Sequence, residues 1–289
     1  MSSRSIKWTD FPEKQVFSIE YSGEASYGKT HCCATFPNVA MCDTIGEGEG
    51  HIIMKKFSNP KYFKAKDFDD FRRFVKYCVD NPKVESIAID SGSDLVEMAE
   101  TEWLRKKGRK SVFVPGEGAF QWAEVYKEID DLVQEIKRSG KFLVVTSRLK
   151  DEWVGKDGSN ESVKTGKRLR SGYKKFPFGL SVLLELVHGL RDKDDKVHYE
   201  GNIFGRVIKN RFLHKRVQKP FIFDPTYQGL VEEGELFTPW CGAYDKEKCD
   251  LNTCAKCKRF VAKDIMEEAK KYLISIGTLQ EVKPIEKAK

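Results

Sequence analysis

Short apolar runs alternate with amphipathic segments along the first half of the chain. Strands are predicted at Val16–Glu20, Val39–Asp43, Ser86–Ile89 and Lys141–Ser147. Between the later runs, apolar positions recur with a period of about 3.6 residues, which indicates helices. The predicted helices are Phe68–Val79, Leu95–Lys107 and Trp122–Arg138. Strands that alternate with helices require crossover connections, so the pattern predicts an α/β fold with a mainly parallel central sheet.

The pattern changes beyond Arg148. Asp151–Lys175 is polar, basic and interrupted by glycines. Two strand-like stretches, GLSVLLELVHGL and NIFGRVIKNRFL, then flank the charged turn RDKDDK. Pro220–Pro225 is the predicted exit from the core, and Lys258–Leu273 is a predicted terminal helix. We therefore predict a core over residues 1–225 and a small Cys-rich module over residues 226–289.

Composition narrows the class of protein. The 289 residues include 40% hydrophobic and 33% charged residues, as in a well-solvated globular protein. The sequence has no run of about 18 apolar residues that would span a bilayer, and the N-terminus lacks the layout of a signal peptide. We expect a soluble cytoplasmic protein with no membrane partner, in which Cys32, Cys33, Cys42 and Cys78 are buried free thiols. The net charge of +7 permits a polyanionic partner but does not demonstrate one.

The segment GEASYGKT fits the pattern G-x-x-x-x-G-K-[ST]. Glycines let backbone N–H groups point toward phosphate oxygens, and the helix predicted to follow adds the positive end of its dipole. In this pattern the lysine neutralises the β- and γ-phosphates and the threonine hydroxyl ligates Mg²⁺. The predicted ATP-binding residues are Gly23, Glu24, Ala25, Ser26, Tyr27, Gly28, Lys29 and Thr30. The alternative is a chance match in a glycine turn.

A phosphate loop requires further acidic residues. Asp90 ends the apolar run SIAID and is the predicted second ligand of the Mg²⁺ shell; the alternative is an N-cap of the next helix. Activation of water needs a carboxylate, and the loop after the second strand offers several. Our first choice is Glu47, followed by Glu49 and Asp43, with Glu24 a further candidate. A solvated acidic loop is the alternative.

The chain resembles the RecA-type ATPase core over roughly residues 14–225. The resemblance is carried by the order and spacing of four segments: SGEASYGKTHCCATFP, CDTIGEG, IAIDSGSDL and FLVVTSR. The nearest variant is the compact phage-encoded RecA-like proteins of single-strand annealing and recombination. The resemblance implies an α/β RecA-like P-loop NTPase fold with helices on both faces of the sheet. It also implies that Glu47 is the catalytic glutamate. A polar residue after the fourth strand, here Thr146, Ser147 or Arg148, would sense the γ-phosphate.

The same resemblance implies a shared active site. In VIKNRFL, Lys209 and Arg211 lie two residues apart on a predicted strand, so both side chains point the same way. Related hexameric helicases carry a similar pair that reaches into a neighbouring subunit's nucleotide site. The resemblance therefore implies self-association into a ring or filament. If a phage encodes the chain, the protein would lie in the host cytoplasm. A solvated strand face is the alternative.

The basic segment after the fourth strand is the predicted contact for single-stranded DNA, as in RecA-type proteins. A flexible basic segment gains affinity by counterion release, and an aromatic ring can stack on a base. The residues assigned to this contact are Lys164, Lys167, Arg168, Arg170, Tyr173, Lys174 and Lys175, with Lys156 nearby. A basic surface hairpin without a ligand is the alternative.

Four further cysteines lie close together near the C-terminus. Cys241, Cys249, Cys254 and Cys257 end in a C-x-x-C pair, which is typical of half of a zinc site. A metal would supply folding energy that so small and polar a segment lacks. Free thiols, or a redox pair at Cys254 and Cys257, are the alternatives.

Together these features predict a DNA-stimulated ATPase that acts on single-stranded DNA in recombination or annealing, with ATP and Mg²⁺, and possible contact with a single-strand-binding protein. A translocating helicase or packaging motor would share every nucleotide-site residue. A nucleic-acid-binding zinc adaptor with a vestigial ATPase is the alternative from another class.

Overall fold

The computed structural model describes residues 16–44, 50–57, 61–112, 120–155, 162–191, 194, 196–211, 221–232 and 263–275. The strands in these ranges are β1 (Ser18–Gly23), β2 (Val39–Asp43), β3 (Lys61–Lys64), β4 (Ser86–Asp90), β5 (Phe142–Gly155), β6 (Ser162–Arg170), β7 (Val182–Arg191), β8 (Val197–Asn210) and β9 (Phe221–Ile222). The helices are α1 (Lys29–Ala34), α2 (Gly50–Met54), α3 (Phe68–Asp80), α4 (Gly92–Lys107), α5 (Phe120–Arg138), α6 (Phe176–Gly179), α7 (Tyr227–Glu232) and α8 (Lys263–Ser275).

Among the described residues, the strands form one sheet in the order β3-β2-β4-β5-β1-β7-β8-β9, and β6 pairs with β5 outside this path. The pairs from β3 to β7 are all parallel. The pairs β7–β8, β8–β9 and β5–β6 are antiparallel. The carboxyl ends of β1, β2, β4 and β5 therefore meet along one edge, where open α/β sheets bind ligands.

Helices cover both faces of the sheet. On one face, α3, α4 and α5 pack on Ile87, Ile89, Leu143 and Val145. On the other face, α1, α2 and α7 pack on the opposite side chains of the same strands, including Ala88 and Val144. Because both faces are covered, nearly every position of β1, β2 and β4 is buried, which explains why these strands read as almost continuous apolar runs. The predicted α/β class, the mainly parallel sheet and the helices on both faces are confirmed.

Element boundaries follow local signals where these exist. The side chain of Asp67 caps α3 by accepting from the Asp70 N–H at 2.8 Å. The predicted apolar stripe of α3 is buried along its length. Helix α4 ends at Gly108, whose φ of 64° is the left-handed conformation that favours glycine. The short elements β3, α2 and β9 were not predicted, because a few residues are too short to show a period.

The largest difference from the prediction lies after Ser147. The fourth predicted strand does not end there: β5 continues to Gly155 and pairs with β6 as a two-stranded hairpin. The sequence predicts a flexible basic segment over Asp151–Lys175, with a basic surface hairpin as the alternative, and the structure has a hairpin. The side chains of β6 do not alternate regularly in polarity. Both sides of β6 face solvent, as its burial shows, so no buried face imposes such an alternation.

The core extends past the predicted boundary at residue 225. Tyr227 and Leu230 of α7 pack in the same core as Phe36 and Phe142. Ala269 and Leu273 of α8 pack with other buried side chains of β7 and β8. Cys32, Cys33, Cys42 and Cys78 are buried and free, as predicted. In the described ranges, every helix is too short or too polar to cross a membrane.

Candidate functional site

The phosphate loop connects β1 to α1. Ser26 and Gly28 have left-handed φ angles of 63° and 72°, which turn the backbone sharply before α1 begins at Lys29. The Lys29 ammonium donates to the carbonyl oxygens of Gly23 at 3.0 Å and Glu24 at 2.5 Å. Burial lowers the pKa of Lys29, while the carboxylates of Asp90 and Glu24 oppose that shift. The loop therefore has the strand, turn and helix that the motif requires.

Asp90 lies beside the phosphate loop at the end of β4. The Thr30 hydroxyl donates to one carboxylate oxygen at 2.7 Å, and the Thr146 hydroxyl donates to the other at 2.5 Å. Desolvation raises the pKa of Asp90, and these two hydrogen bonds counteract the rise. The position that precedes α4 is Ser91, not Asp90. The N-cap alternative for Asp90 is therefore wrong.

Asp43 is the register partner of Asp90 on the neighbouring strand β2. It is only 5% exposed, and the Tyr62 hydroxyl of β3 donates to its carboxylate. Burial and the bond to Asp43 raise the pKa of Tyr62 above its ordinary range. Asp43 is thus a second carboxylate at the same edge, held in place by a side chain that sequence reasoning missed. Glu47 and Glu49 lie outside the described residues.

The three sensor candidates on β5 have different environments. Thr146 binds Asp90, and the Ser147 hydroxyl donates to Glu20 on the opposite side of the strand. Arg148 is half exposed, 3.7 Å from Asp94, and its charge lowers the pKa of Lys29. Arg148 also lines an open cleft of about 490 Å³, together with Thr44 and residues of α3 and α4. Of the three, Arg148 is the one whose charge is exposed to solvent and acts on Lys29.

Lys209 and Arg211 lie at and just after the end of β8, and both contact the same short segment of their own chain. Lys209 donates to the carbonyl oxygens of Pro177 and, at 2.8 Å, Leu180. Arg211 donates to the carbonyl oxygen of Phe178. Both side chains therefore point the same way, as the spacing implies. Action on a neighbouring subunit stays a prediction.

Several cations assigned to DNA contact form ion pairs within the chain. Lys164 binds Asp151 at 2.5 Å, Arg168 binds Glu24 at 2.9 Å, and Lys175 binds Asp130. Within the described part of the chain, Lys167 and Lys174 form no ion pair. The accessible positive charge of this region is therefore smaller than its composition implies.

Two of the assigned residues are structural. Tyr173 is 1% exposed, its ring packs against Tyr126 and Phe176, and its hydroxyl donates to Asp130. A buried ring does not reach a base, so the prediction that Tyr173 stacks on DNA is wrong. Arg170 is 17% exposed and bound to Glu20, which is 1% exposed, so its guanidinium is also withdrawn from solvent.

The exposed aromatic group of this region is Trp153 on β5. It is 59% exposed, and the Lys164 ammonium lies 5.5 Å from its ring centroid. Val154 and Val163, a cross-strand pair, are also more than half exposed. Sequence reasoning missed Trp153 because an isolated tryptophan in DEWVG carries no signal of its exposure.

The fit of a magnesium ion can be judged from its donors. Thr30, Asp90 and Asp43 supply hydroxyl and carboxylate oxygens at one edge of the sheet. Oxygen ligands of this kind suit Mg²⁺, which binds proteins through one or two carboxylates together with substrate phosphates. The residues present therefore fit the ion that the motif implies.

The predicted zinc site is a separate matter. All four of its cysteines lie outside the described residues. Within the described ranges, no group of three or more His, Cys, Asp or Glu side chains could hold a metal ion.

Sequence comparison agrees with this geometry. The profile of an AAA domain family matches residues 18–207, from the start of β1 into β8 and more than half of the chain. The matched segment contains the phosphate loop, Asp90, Thr146 and the hairpin. No curated protein matches the chain at a significant level. The predicted P-loop NTPase is confirmed at this level, whereas the narrower resemblance to phage RecA-like proteins stays a prediction. The chain belongs to the AAA domain family of P-loop ATPases.

Proposed function

We propose that this chain hydrolyses ATP and binds single-stranded DNA through its β5–β6 hairpin, in recombination or annealing. The observation that carries the ATPase part is the contact of Thr30 and Thr146 with the two oxygens of Asp90. This contact joins the phosphate loop to the carboxyl ends of β4 and β5.

Each residue of the nucleotide site has a distinct task. The backbone of Gly23–Thr30 would bind the phosphates, and Lys29 would move from the Gly23 and Glu24 carbonyls to phosphate oxygens. Thr30 and Asp90 would hold Mg²⁺, which neutralises charge on the phosphates when bound. Asp43 would lie nearby, held by the hydrogen bond from the Tyr62 hydroxyl. Glu47 remains our candidate for the general base.

The hairpin supports the nucleic-acid part of the proposal. An exposed indole flanked by a lysine offers a stacking surface and a cation for the backbone of a single strand. Trp153 and Lys164 have this arrangement, although Lys164 also pairs with Asp151. Lys150 and Lys167 of the same hairpin are exposed and supply further positive charge. Trp153 thus replaces Tyr173 as the proposed stacking residue.

Self-association is part of the same proposal. Arg211 donates to the carbonyl oxygen of Phe178 in α6, and the side chain of Phe178 is 75% exposed. An exposed phenylalanine beside an arginine is typical of a protein contact surface. If a neighbouring subunit covers Phe178, Arg211 would lie at the nucleotide site of that neighbour. An arginine in such a position typically raises the rate of phosphoryl transfer by about 10³–10⁵.

The experiment is ATP turnover with and without single-stranded DNA, with particle size measured on addition of nucleotide. Lys29→Ala should abolish turnover, and full activity in that variant would contradict the ATPase assignment. Strand displacement on a tailed duplex would favour a translocating motor, whereas annealing without unwinding would favour the recombination role. DNA binding without DNA-stimulated turnover would favour the adaptor.

Hairpin binding needs a matched control. Trp153→Ala should weaken binding of single-stranded DNA by about 1–3 kcal/mol for each base that stacks on the ring. Tyr77→Ala removes an aromatic ring of nearly equal exposure, 58% against 59%, from helix α3. Unchanged affinity in Trp153→Ala, or an equal loss in Tyr77→Ala, would exclude the hairpin as the binding surface.

A further inference from the structure

Two arginines of β6 contact two glutamates that flank the start of the phosphate loop. Arg168 and Arg170 are two residues apart on one strand, so their side chains point the same way. Arg170 binds Glu20 within β1, and Arg168 binds Glu24, the second residue of GEASYGKT. The hairpin is thus attached at two points to the segment that would bind phosphate.

The two attachments differ in burial. The Arg170–Glu20 pair is withdrawn from solvent, with side-chain exposures of 17% and 1%. Arg170 also donates to the Tyr173 carbonyl at 2.6 Å. The Arg168–Glu24 pair is open, with exposures of 43% and 35%. Arg168 has two further partners, the Asp151 carboxylate at 3.5 Å and the Leu149 carbonyl at 3.2 Å. The buried pair is a fixed anchor, while the open pair can respond to charge nearby.

Glu24 participates in the phosphate site as well as in the hairpin contact. Its carbonyl oxygen accepts from Lys29 at 2.5 Å, while its carboxylate accepts from Arg168 at 2.9 Å. A bound triphosphate would attract Lys29 and repel the Glu24 carboxylate. The Arg168 guanidinium, which already contacts the carboxylates of Glu24 and Asp151, would then have a third anionic group nearby. Electrostatic attraction should hold it more firmly in that state.

We propose that Arg168 is a positioning residue that couples occupancy of the phosphate loop to the position of the β5–β6 hairpin. Nucleotide binding strengthens the Arg168 contact, while the buried Arg170–Glu20 pair stays unchanged. By thermodynamic linkage, a hairpin held in this position raises the affinity for nucleotide by the same factor. This inference rests on the proposed nucleotide binding but not on DNA binding. It gives Arg168 a role that differs from the direct DNA contact predicted from its charge.

The test is hydrogen exchange of the full chain with and without Mg²⁺ and a non-hydrolysable ATP analogue. The quantity of interest is the ratio of exchange rates of the residue 162–170 amides in the two states. A solvent-exposed ion pair changes an opening equilibrium by up to about fivefold. The analogue should therefore slow exchange of these amides about two- to fivefold in the wild type. In Arg168→Gln the ratio should fall to about one. A merely structural role would change exchange equally in both states and leave the ratio unaltered.

Arg206→Gln is the matched control. Arg206 forms a similar open pair with Glu185 at 2.6 Å, with exposures of 49% and 21%, between β7 and β8. This variant should retain the wild-type ratio. Equal or faster exchange with the analogue in a wild type that binds it, or the same slowing in Arg168→Gln, overturns the coupling. Calorimetry on the same samples separates the outcomes, because a wild type that binds no analogue overturns the proposed function as well.

Discussion

Arg170→Ala should destabilise the protein more than removal of any other arginine or lysine of the basic segment. Removing the guanidinium leaves Glu20 buried without its cation, and one carboxylate oxygen of Glu20 already lacks a hydrogen-bond partner within the described residues. Loss of one partner from a buried pair typically costs about 3–5 kcal/mol. The bond from Arg170 to the Tyr173 carbonyl, at 2.6 Å, is lost as well.

The loss should depend on pH. Burial raises the pKa of Glu20 from its ordinary value of 4.5, and Arg170 is the largest opposing influence. Removal of Arg170 therefore raises that pKa further. A carboxyl with a raised pKa in the folded state contributes stability that is fully present below its unfolded pKa and is lost as pH rises through the folded pKa. The deficit of the variant should be small in acid and should grow as pH rises.

Urea unfolding of wild type and variant between about pH 5 and pH 8 measures this deficit. Arg206→Ala is the comparison, because it breaks a solvent-exposed pair and should cost about 1 kcal/mol or less at every pH. The double variant Glu20→Gln/Arg170→Ala removes the buried charge and should recover most of the loss above neutral pH. A deficit in Arg170→Ala that equals the one in Arg206→Ala, or that does not vary with pH, would refute the reasoning.

Three further predictions concern neighbouring residues. Tyr173→Phe should lower the free energy of unfolding by about 1–2 kcal/mol through loss of the bond to Asp130, while affinity for single-stranded DNA should stay unchanged in a binding titration. Asp90→Asn removes a proposed Mg²⁺ ligand and should lower ATP turnover by about 10²-fold or more. Because desolvation disfavours the Asp90 carboxylate, the melting temperature of this variant should not fall. Gly172→Ala should cost about 1–3 kcal/mol in urea unfolding, because φ is 108° and the new Cβ would lie 2.8 Å from the Gly92 carbonyl oxygen. Gly179→Ala, where a Cβ meets no atom within 4 Å, should stay within about 0.5 kcal/mol of wild type.

The nucleotide site was largely predictable because its signals are local. Lys29 and Thr30 lie in one contiguous motif, and Asp90 ends an apolar run of a length typical of a buried strand. Parallel strands then bring the ends of β1, β2 and β4 to one edge, so the contact between Thr30 and Asp90 follows from topology. The partner Tyr62 was not predictable, because β3 is four residues long and has no recognisable period.

A hairpin was one of the two expectations for the basic segment, but its internal contacts were not predictable, because their signals are not local. Its determining contacts join residues far apart in the sequence, such as Arg170 with Glu20 and Tyr173 with Asp130. A count of charges along Asp151–Lys175 treats every arginine and lysine as available to a ligand. Pairing within the fold removes several of them, and burial removes Tyr173, which left Trp153 as the exposed aromatic residue.

Strand β1 connects these observations physically. It carries Glu20 in its buried interior and leads directly into Glu24 at the phosphate loop. Arg168 and Arg170, two residues apart on β6, each pair with one of these glutamates. The Arg170–Glu20 pair is buried, and low-dielectric surroundings strengthen it. Arg170 should therefore affect the free energy of unfolding strongly and respond little to bound nucleotide. Arg168, paired in solvent beside the loop, should contribute little to stability and respond to nucleotide. Opposite results for the two arginines in unfolding and in exchange would show that burial does not separate their roles.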